Sequence, residues 1–272
     1  MTTRPRMEPE SPIGVFDSGL GGLTVVRALR RLCPRESLIY FGDTARVPYG
    51  TKSSRTVTHF SRQIVEFLLE RRVKMVVVAC NTASALALED LKARTPVPTL
   101  GVILPGAQTA VRLTRSGHVG VVGTTATIRS EAYPRALKSI NGDLTVTSVA
   151  CPLFVPLAEE GWTEGAVARM ISREYLEPFR HNAVDTVILG CTHYPLLKKT
   201  IQASLPKSVR LVDSADAVSK AVLEHLRRTD ALASEGEGHL ECFVTDLPQK
   251  FEELGERFLG TSLPEVTLVR LE

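Results

Sequence analysis

The chain has 272 residues, of which 43% are hydrophobic and 23% charged, a composition typical of a globular protein with a buried core and not of a disordered chain. At about 150 residues per domain, this length suits two modest domains or one large one. The net charge of +3 is too close to neutrality for a protein devoted to nucleic acid or to anionic membranes.

The amino-terminal segment and the cysteines indicate the cellular compartment. Residues 1–11 are polar, contain Pro5 and Pro9, lack the apolar centre of a secretory signal, and are expected to form a disordered tail. No apolar run reaches the roughly 18 residues of a membrane span. The five cysteines are odd in number and include no CxxC pair. They predict free thiols in a reducing, cytoplasmic compartment.

From Ile13 onward, short apolar runs alternate with longer segments of helical period. The runs predict buried strands at Ile13–Phe16, Leu38–Phe41, Met75–Ala79, Thr99–Val102, Val119–Val122, Leu144–Val149, Thr186–Leu189 and Arg210–Val212. The segments between them predict helices that include Leu23–Leu32, Val57–Arg71, Ala83–Ala93, Glu164–Phe179, Tyr194–Ser204 and Ala215–Arg228. Strands that are apolar on both faces and alternate with helices indicate parallel βαβ units, so the predicted fold class is α/β.

The second half of the chain repeats the first. Ile13–Gly19 aligns with Val119–Thr125, Val47-Pro48 with Val155-Pro156, and Val76–Thr82 with Val187–His193, at offsets of 106, 108 and 111 residues. Three matches in order and at a nearly constant offset favour duplication of a half-protein. Two similar parallel-sheet domains, related by internal pseudo-symmetry, are therefore expected to face each other. Since ligands bind at the carboxyl ends of parallel strands, the site is expected in the cleft between them.

Cys80 and Cys191 are a matched pair in this repeat, because each follows a buried strand and precedes a helical segment. A thiol beside helix N-terminal N–H groups is readily poised as a thiolate. Either cysteine alone could equally be a small buried residue of the core. We interpret Cys33, Cys151 and Cys242, which have no matched partner, as such packing residues. Matched placement, however, puts one sulfur on each side of a bound ligand. Such a pair suits a reaction in which a proton leaves one face of a carbon and returns to the other.

The loop Asp17–Gly22 follows the first strand, and its glycines let backbone N–H groups approach an anion. It is not a dinucleotide fingerprint, because Thr24 stands where the third glycine belongs, and the chain has no P-loop motif. From the local sequence, Asp17 is equally compatible with helix capping, as are Ser18 and Thr24.

The two halves differ beside the matched cysteines, since Asp17 aligns with Gly123 and Thr82 with His193. One half thus carries an extra carboxylate and the other an extra imidazole. This asymmetry suits two cysteines whose resting protonation differs.

Further polar groups add to this candidate site. Pro48-Tyr49-Gly50 and Asn81-Thr82 supply hydroxyl, amide and backbone donors for a small polar ligand, although Pro-Tyr-Gly also suits a turn. Glu159 precedes Gly161, a candidate C-cap, and a role for Glu159 in the cleft stays open. The histidines show no metal-ligand spacing, so no metal site is expected.

Four motifs carry a resemblance to a known family. They are Asp17–Gly22, Pro48–Gly50, Ala79–Thr82 and Gly190–Pro195. With these motifs the sequence closely resembles the glutamate racemases of the aspartate/glutamate racemase superfamily, from about Ile13 to the carboxyl terminus. The paired cysteine motifs are typical of the superfamily, and the residues that flank the cysteines point to the glutamate branch.

The resemblance implies a cofactor-independent interconversion of L- and D-glutamate that supplies D-glutamate for peptidoglycan. It implies that Cys80, assisted by Asp17, takes the Cα proton from D-glutamate, and that Cys191, assisted by His193, takes it from L-glutamate. The implied substrate contacts are Asp17, Ser18, Pro48, Tyr49, Gly50, Asn81, Thr82, Thr124, Thr192 and His193. It further implies a homodimer with no nucleic-acid or membrane partner. The implied domains are residues 12–104 plus 213–272, and residues 105–212.

Three alternatives stay open. A cysteine hydrolase or transferase would use one cysteine as nucleophile, His193 as base and Asp17 as its orienting group, which leaves the second cysteine unexplained. A non-catalytic amino-acid-binding module would use the same cleft without exchange of the Cα proton. An aspartate racemase is the nearer rival.

Overall fold

The computed structural model describes residues 8–180 and 183–271. Within these residues the strands are β1 Ile13–Asp17, β2 Leu38–Gly42, β3 Met75–Val78, β4 Thr99–Gly101, β5 His118–Gly123, β6 Thr145–Ala150, β7 Thr186–Gly190, β8 Arg210–Asp213, β9 Leu240–Val244 and β10 Val266–Leu268. The helices are α1 Leu23–Leu32, α2 Ser54–Glu70, α3 Asn81–Leu86, α4 Leu88–Arg94, α5 Ile103–Leu113, α6 Thr125–Arg129, α7 Ala132–Ile140, α8 Phe154–Glu159, α9 Ala166–Arg180, α10 Lys198–Ala203, α11 Ser214–Arg228 and α12 Pro248–Leu259.

The strands form two parallel sheets with the same inner order. The first sheet runs β10-β9-β2-β1-β3-β4 and the second β6-β5-β7-β8. β2-β1-β3-β4 therefore corresponds, strand for strand, to β6-β5-β7-β8, and every pairing is parallel. The predicted class, α/β with two similar parallel sheets, is confirmed.

Burial explains why these runs form central strands. All residues of β1, β3 and β7 are buried, because helices cover both faces of a parallel sheet. One apolar cluster is continuous from Val15 of the first sheet to Val187 of the second. The shared core holds the two sheets together and brings their carboxyl ends to one place.

Several predicted element bounds differ from those in the structure. The predicted helix Ala83–Ala93 is two helices, α3 and α4, because Ala87 leaves helical geometry at φ −121°. Two consecutive helices with one buried side have nearly the periodicity of a single helix. The predicted helix Tyr194–Ser204 begins as a 3₁₀ turn over Tyr194–Leu197 and continues as α10. No strand was predicted for β9, in which the charged Glu241 interrupts a five-residue run.

The structure describes only the last four residues of the predicted tail. Residues 1–7 of the predicted tail lie outside the described residues. Residues 8–11 form a turn, in which the Ser11 N–H donates to Glu8 O at 3.0 Å and Pro9 O accepts from Lys74 Nζ. The first sheet uses strands from both ends of the chain and the second uses the middle. The domain limits themselves stay a prediction.

Candidate active site

A cavity of about 210 Å³ lies where the carboxyl ends of the two sheets meet. Its lining consists of Ser18, Gly19, Val47, Pro48, Tyr49, Gly50, Thr51, Cys80, Asn81, Thr82, Thr124, Thr125, Pro152, Val155, Pro156, Glu159, Cys191, Thr192 and His193. Every site residue predicted from the sequence lines this cavity except Asp17, which is fully buried beside it. A concave site of this size suits a small metabolite rather than a macromolecule.

Cys80 comes from the first sheet, immediately after β3, and is the N-cap of α3. Its Sγ accepts a hydrogen bond from the Ala83 N–H at 3.4 Å and donates to Ser18 Oγ at 3.6 Å. Burial raises the pKa of the Cys80 thiol to about 12, and the nearby Asp17 carboxylate adds to the rise. Cys80 therefore rests as a neutral thiol, a proton donor.

Cys191 occupies the matching place after β7 but has a different neighbour. Its Sγ lies 3.9 Å from Nδ1 of His193, and Nε2 of the same ring lies 3.0 Å from Oε1 of Glu159. Burial lowers the pKa of His193, but the hydrogen bonds with Cys191 and Glu159 outweigh burial and raise the pKa to about 10. At neutral pH a protonated imidazole consequently faces the Cys191 sulfur.

Asp17 ends β1 with no exposed surface. Its Oδ2 accepts from the Gly19 N–H at 3.1 Å, and its Oδ1 accepts from Thr192 Oγ1 at 3.4 Å. Burial raises the pKa of Asp17, and the charge of His193 opposes that rise. The carboxylate thus lies between the two sulfur environments and interacts with both.

Asp17, Ser18 and Thr24 do not cap helix α1. The helix begins after Gly22, with no side-chain hydrogen bond at its N-terminus. The Thr24 hydroxyl donates to Gly21 O at 2.9 Å and to Thr192 O at 3.2 Å. The capping interpretation of Asp17, Ser18 and Thr24 is therefore wrong for this helix.

Glycine is required in this loop because the loop passes against the other half of the site. A Cβ at Gly21 would lie 2.3 Å from Thr192 Oγ1 and 2.5 Å from His193 Nδ1. A Cβ at Gly22 would lie 2.5 Å from the Cβ of Asp17. These separations are far below van der Waals contact, so a side chain at either position would displace the polar groups.

Tyr49 is held by a carboxylate that sequence reasoning missed. Its hydroxyl donates to Oδ2 of the fully buried Asp43. Asp43 also accepts from Arg46 Nε at 2.9 and 2.8 Å and from Thr245 Oγ1 at 3.0 Å. A signal was present, since Asp43 follows β2 as Asp17 ends the neighbouring β1.

Asn81 connects the two halves beside Cys80. Its Oδ1 accepts from the Tyr133 hydroxyl at 2.7 Å, and its Nδ2 donates to Ser214 Oγ at 3.4 Å. Both partners are buried, so the amide is fixed in orientation.

The apolar wall of the cavity was also missed. It consists of Val47, Pro152, Val155 and Pro156. The repeat had already aligned Val47-Pro48 with Val155-Pro156, and that alignment was the available signal. Apolar walls exclude water and strengthen electrostatic interactions within a site.

The arrangement is chemically asymmetric on a symmetric scaffold. One half presents a thiol beside a carboxylate, and the other presents a sulfur beside a protonated imidazole that is paired with Glu159. Such a pair of groups can take a proton from one side of a bound carbon and supply a proton from the other.

In the described part of the chain, no group of three or more His, Cys, Asp or Glu side chains is arranged to hold a metal ion. No helix among residues 8–180 and 183–271 is long and apolar enough to cross a membrane.

The comparison with known proteins agrees with this geometry. The family profile described as Asp/Glu/Hydantoin racemase matches residues 13–222. The chain is 53% identical over 265 residues to a glutamate racemase from Geobacter metallireducens, covering 97% of this chain and 98% of that relative. It is similar in structure to glutamate racemase isoform RacE1 from Bacillus anthracis, with a TM-score of 0.94 and 39% identity over 97% of this chain and 99% of that chain. A glutamate racemase from Francisella tularensis, solved in complex with D-glutamate, matches with a TM-score of 0.92, 39% identity and the same coverage of both chains.

Proposed function

Because the chain belongs to the Asp/Glu/hydantoin racemase family and is an amino-acid racemase, we propose that it interconverts L- and D-glutamate. The proposed reaction uses two cysteine bases and no cofactor. One observation carries the proposal. Cys80 and Cys191 follow corresponding strands of the two sheets and line the same cavity, each beside a different acid–base partner. The names of the relatives support glutamate as the substrate.

The reaction proceeds as a proton relay through the substrate. The Cys191 thiolate removes the Cα proton of L-glutamate and becomes a thiol. The Cys80 thiol protonates the opposite face of Cα and becomes a thiolate, which completes D-glutamate. The reverse direction starts from the Cys80 thiolate and the Cys191 thiol, so each turnover leaves the enzyme ready for the other enantiomer.

The protein must lower the energy of the carbanion-like transition state, because the Cα–H of an amino acid is a very weak acid. Hydrogen-bond donors fixed in advance around the substrate carboxylates perform this task in a site from which water is excluded. Thr82 and Thr124 provide hydroxyl donors on the cavity wall, and the apolar wall residues limit water.

Hydrogen isotope exchange tests the two-base mechanism. In D₂O, starting from L-glutamate without pyridoxal phosphate, metal or nucleotide, early D-glutamate should carry deuterium at Cα. The remaining L-glutamate should stay largely protiated, because the abstracting sulfur holds the original proton and returns it on reversal. Rapid early deuteration of the L-glutamate pool would instead indicate a single base. It would contradict the proposal.

Cysteine variants provide the matched test. Cys80→Ala and Cys191→Ala should each abolish racemisation, because either variant lacks a proton donor or acceptor on one face. Cys33→Ala is the control, since Cys33 has the same 5% exposure as the two site cysteines but lies outside the cavity. A site-cysteine variant with near-normal racemisation would exclude this mechanism.

Substrate choice, cellular role and oligomeric state each have a separate test. An aspartate racemase would turn over aspartate faster than glutamate, so the two substrates are compared under identical conditions. We also propose a role in supplying D-glutamate for peptidoglycan, which predicts that a strain depleted of the protein needs added D-glutamate for growth. A homodimer is expected from the resemblance, and sedimentation of the purified protein tests it.

A further inference from the structure

Three threonine hydroxyls form a closed ring at the edge of the cavity. Thr82 Oγ1 lies 3.0 Å from Thr124 Oγ1 and 3.2 Å from Thr127 Oγ1, and the last two atoms are 3.0 Å apart. Thr82 belongs to α3 of the first half, whereas Thr124 and Thr127 lie at the start of α6 in the second. The ring therefore joins the two halves beside the substrate cavity.

The three members of the ring are not equivalent. Thr82 and Thr124 line the cavity, whereas Thr127 does not line it and is only 1% exposed. Thr127 contributes a second hydrogen bond through its backbone, because its N–H donates to Thr124 Oγ1 at 3.3 Å. Thr127 thus contacts both cavity hydroxyls from the side away from the cavity.

The number of protons and lone pairs on each hydroxyl limits how the ring can bind a carboxylate. A hydroxyl has one proton to donate and two lone pairs that accept. A carboxylate only accepts, so a hydroxyl that contacts it must point its proton into the cavity. When Thr82 and Thr124 both do so, Thr127 is the one member of the ring whose hydroxyl proton can stay within it.

The backbone hydrogen bond of Thr127 favours one position for its hydroxyl proton. Thr124 Oγ1 already accepts the Thr127 N–H, whereas the contacts of Thr82 Oγ1 are with the two other hydroxyls of the ring. A Thr127 hydroxyl that donates to Thr82 gives each cavity hydroxyl one donor from Thr127. Through its O–H and its N–H, this one residue supplies a donor to each cavity hydroxyl and leaves both hydroxyl protons free for the ligand.

We infer that Thr127 is a positioning residue that turns the hydroxyl protons of Thr82 and Thr124 toward a carboxylate of the substrate. The inference rests on the proposed function, because it requires an anionic amino acid in this cavity. It assigns Thr127 no contact with the substrate. Its loss should weaken binding more than it slows proton transfer at Cα.

The experiment compares Thr127→Val, which removes the hydroxyl and keeps the shape and the N–H, with Thr127→Ser, which keeps the hydroxyl. Thr95→Val is the matched control, because Thr95 is also buried and hydrogen-bonded but lies outside the cavity. Calorimetric titration with DL-glutamate measures affinity without net reaction, since the racemic mixture is already at equilibrium. Initial rates with each enantiomer then give kcat and KM.

Thr127→Val should raise Kd and KM about tenfold, while kcat changes less than about threefold. Without the Thr127 hydroxyl, one proton of the Thr82–Thr124 pair returns to the contact between them, so one hydrogen bond to the charged carboxylate is lost. Thr127→Ser should restore both constants to within about twofold, and Thr95→Val should match the wild type. If Thr127→Val is unstable to heat, Thr127→Ala removes the same hydroxyl without added bulk and repeats the test.

The possible failures are distinguishable. Normal glutamate affinity in Thr127→Val overturns this inference alone, and so does a Thr127→Ser variant as weak as Thr127→Val, because packing would then explain the effect. A wild-type protein that neither binds nor racemises glutamate overturns the proposed function and this inference with it.

Discussion

His193 and Glu159 form a partly buried pair in which Nε2 of the imidazole lies 3.0 Å from Oε1 of the carboxylate. The pair orients the ring, so that Nδ1 faces the Cys191 sulfur at 3.9 Å. On the side of Cys80, the corresponding neighbour is the carboxylate of Asp17. The two sulfurs therefore occupy opposite electrostatic environments, and the pH dependence of the reaction follows from this difference.

Glu159→Gln should move the alkaline limb of the kcat/KM profile for L-glutamate to lower pH. The hydrogen bonds with Cys191 and Glu159 hold the pKa of His193 at about 10, so His193 is protonated below that pH and loses its proton above it. Removing one anionic partner lowers this pKa, and because Glu159 is 39% exposed, a shift of about one pH unit is expected. The exposed neighbour Glu160 provides the control variant Glu160→Gln. An unchanged alkaline limb would show that Glu159 does not govern the protonation of His193.

Asp17→Asn and His193→Asn should impair opposite half-reactions. In the proposed mechanism Asp17 assists Cys80, so its amide variant should slow proton abstraction from D-glutamate more. His193 faces Cys191, so its variant should slow abstraction from L-glutamate more. Because equilibrium fixes the ratio of kcat/KM in the two directions, the measurement is the primary isotope effect with each Cα-deuterated enantiomer. The same pattern of isotope effects in both variants would contradict separate roles.

Gly21→Ala should lower kcat/KM at least about tenfold. The new Cβ would lie 2.3 Å from Thr192 Oγ1 and 2.5 Å from His193 Nδ1, so one or both groups must move, and displacements of about 1 Å in a site cost such factors. Gly142→Ala is the control, because a Cβ there meets nothing within 4 Å. Activities are compared after thermal unfolding has shown that both variants fold. Near-normal activity in Gly21→Ala would mean that the loop yields without disturbing His193.

Lys74→Met should lower the free energy of unfolding by about 3–5 kcal/mol, because it leaves a buried carboxylate without its cation. Lys74 Nζ lies 2.5 Å from Glu36 Oε2, and both side chains are only 2% exposed. Lys92→Met breaks the more exposed pair of Lys92 with Glu89 and should cost less than about 1 kcal/mol. Urea denaturation measures both values. If Glu36→Gln combined with Lys74→Met is no more stable than Lys74→Met alone, the stranded charge is not the cause.

Much of the fold was predictable because parallel strands buried on both faces are continuous apolar runs. Helix α1 was predicted with its observed limits, since its buried and charged faces alternate at helical period. Strands β9 and β10 were missed. Strand β9 is a short run that contains a charged residue, and its place in the sheet depends on pairing with β2, which is about 200 residues away in sequence.

By itself, the sequence determined the class of fold, the repeat and the matched cysteines, because each of these follows from local periodicity or from matching positions in two halves. The resemblance to a family added most of the polar residues that line the cavity. Only the tertiary structure decided which hydrogen-bond partners those residues have. It joined Glu159 to His193, Asp43 to Tyr49 and Thr127 to the cavity threonines. The physical reason is that hydrogen bonding and pKa depend on distance and burial in space, and folding brings together groups that sequence separation leaves unrelated.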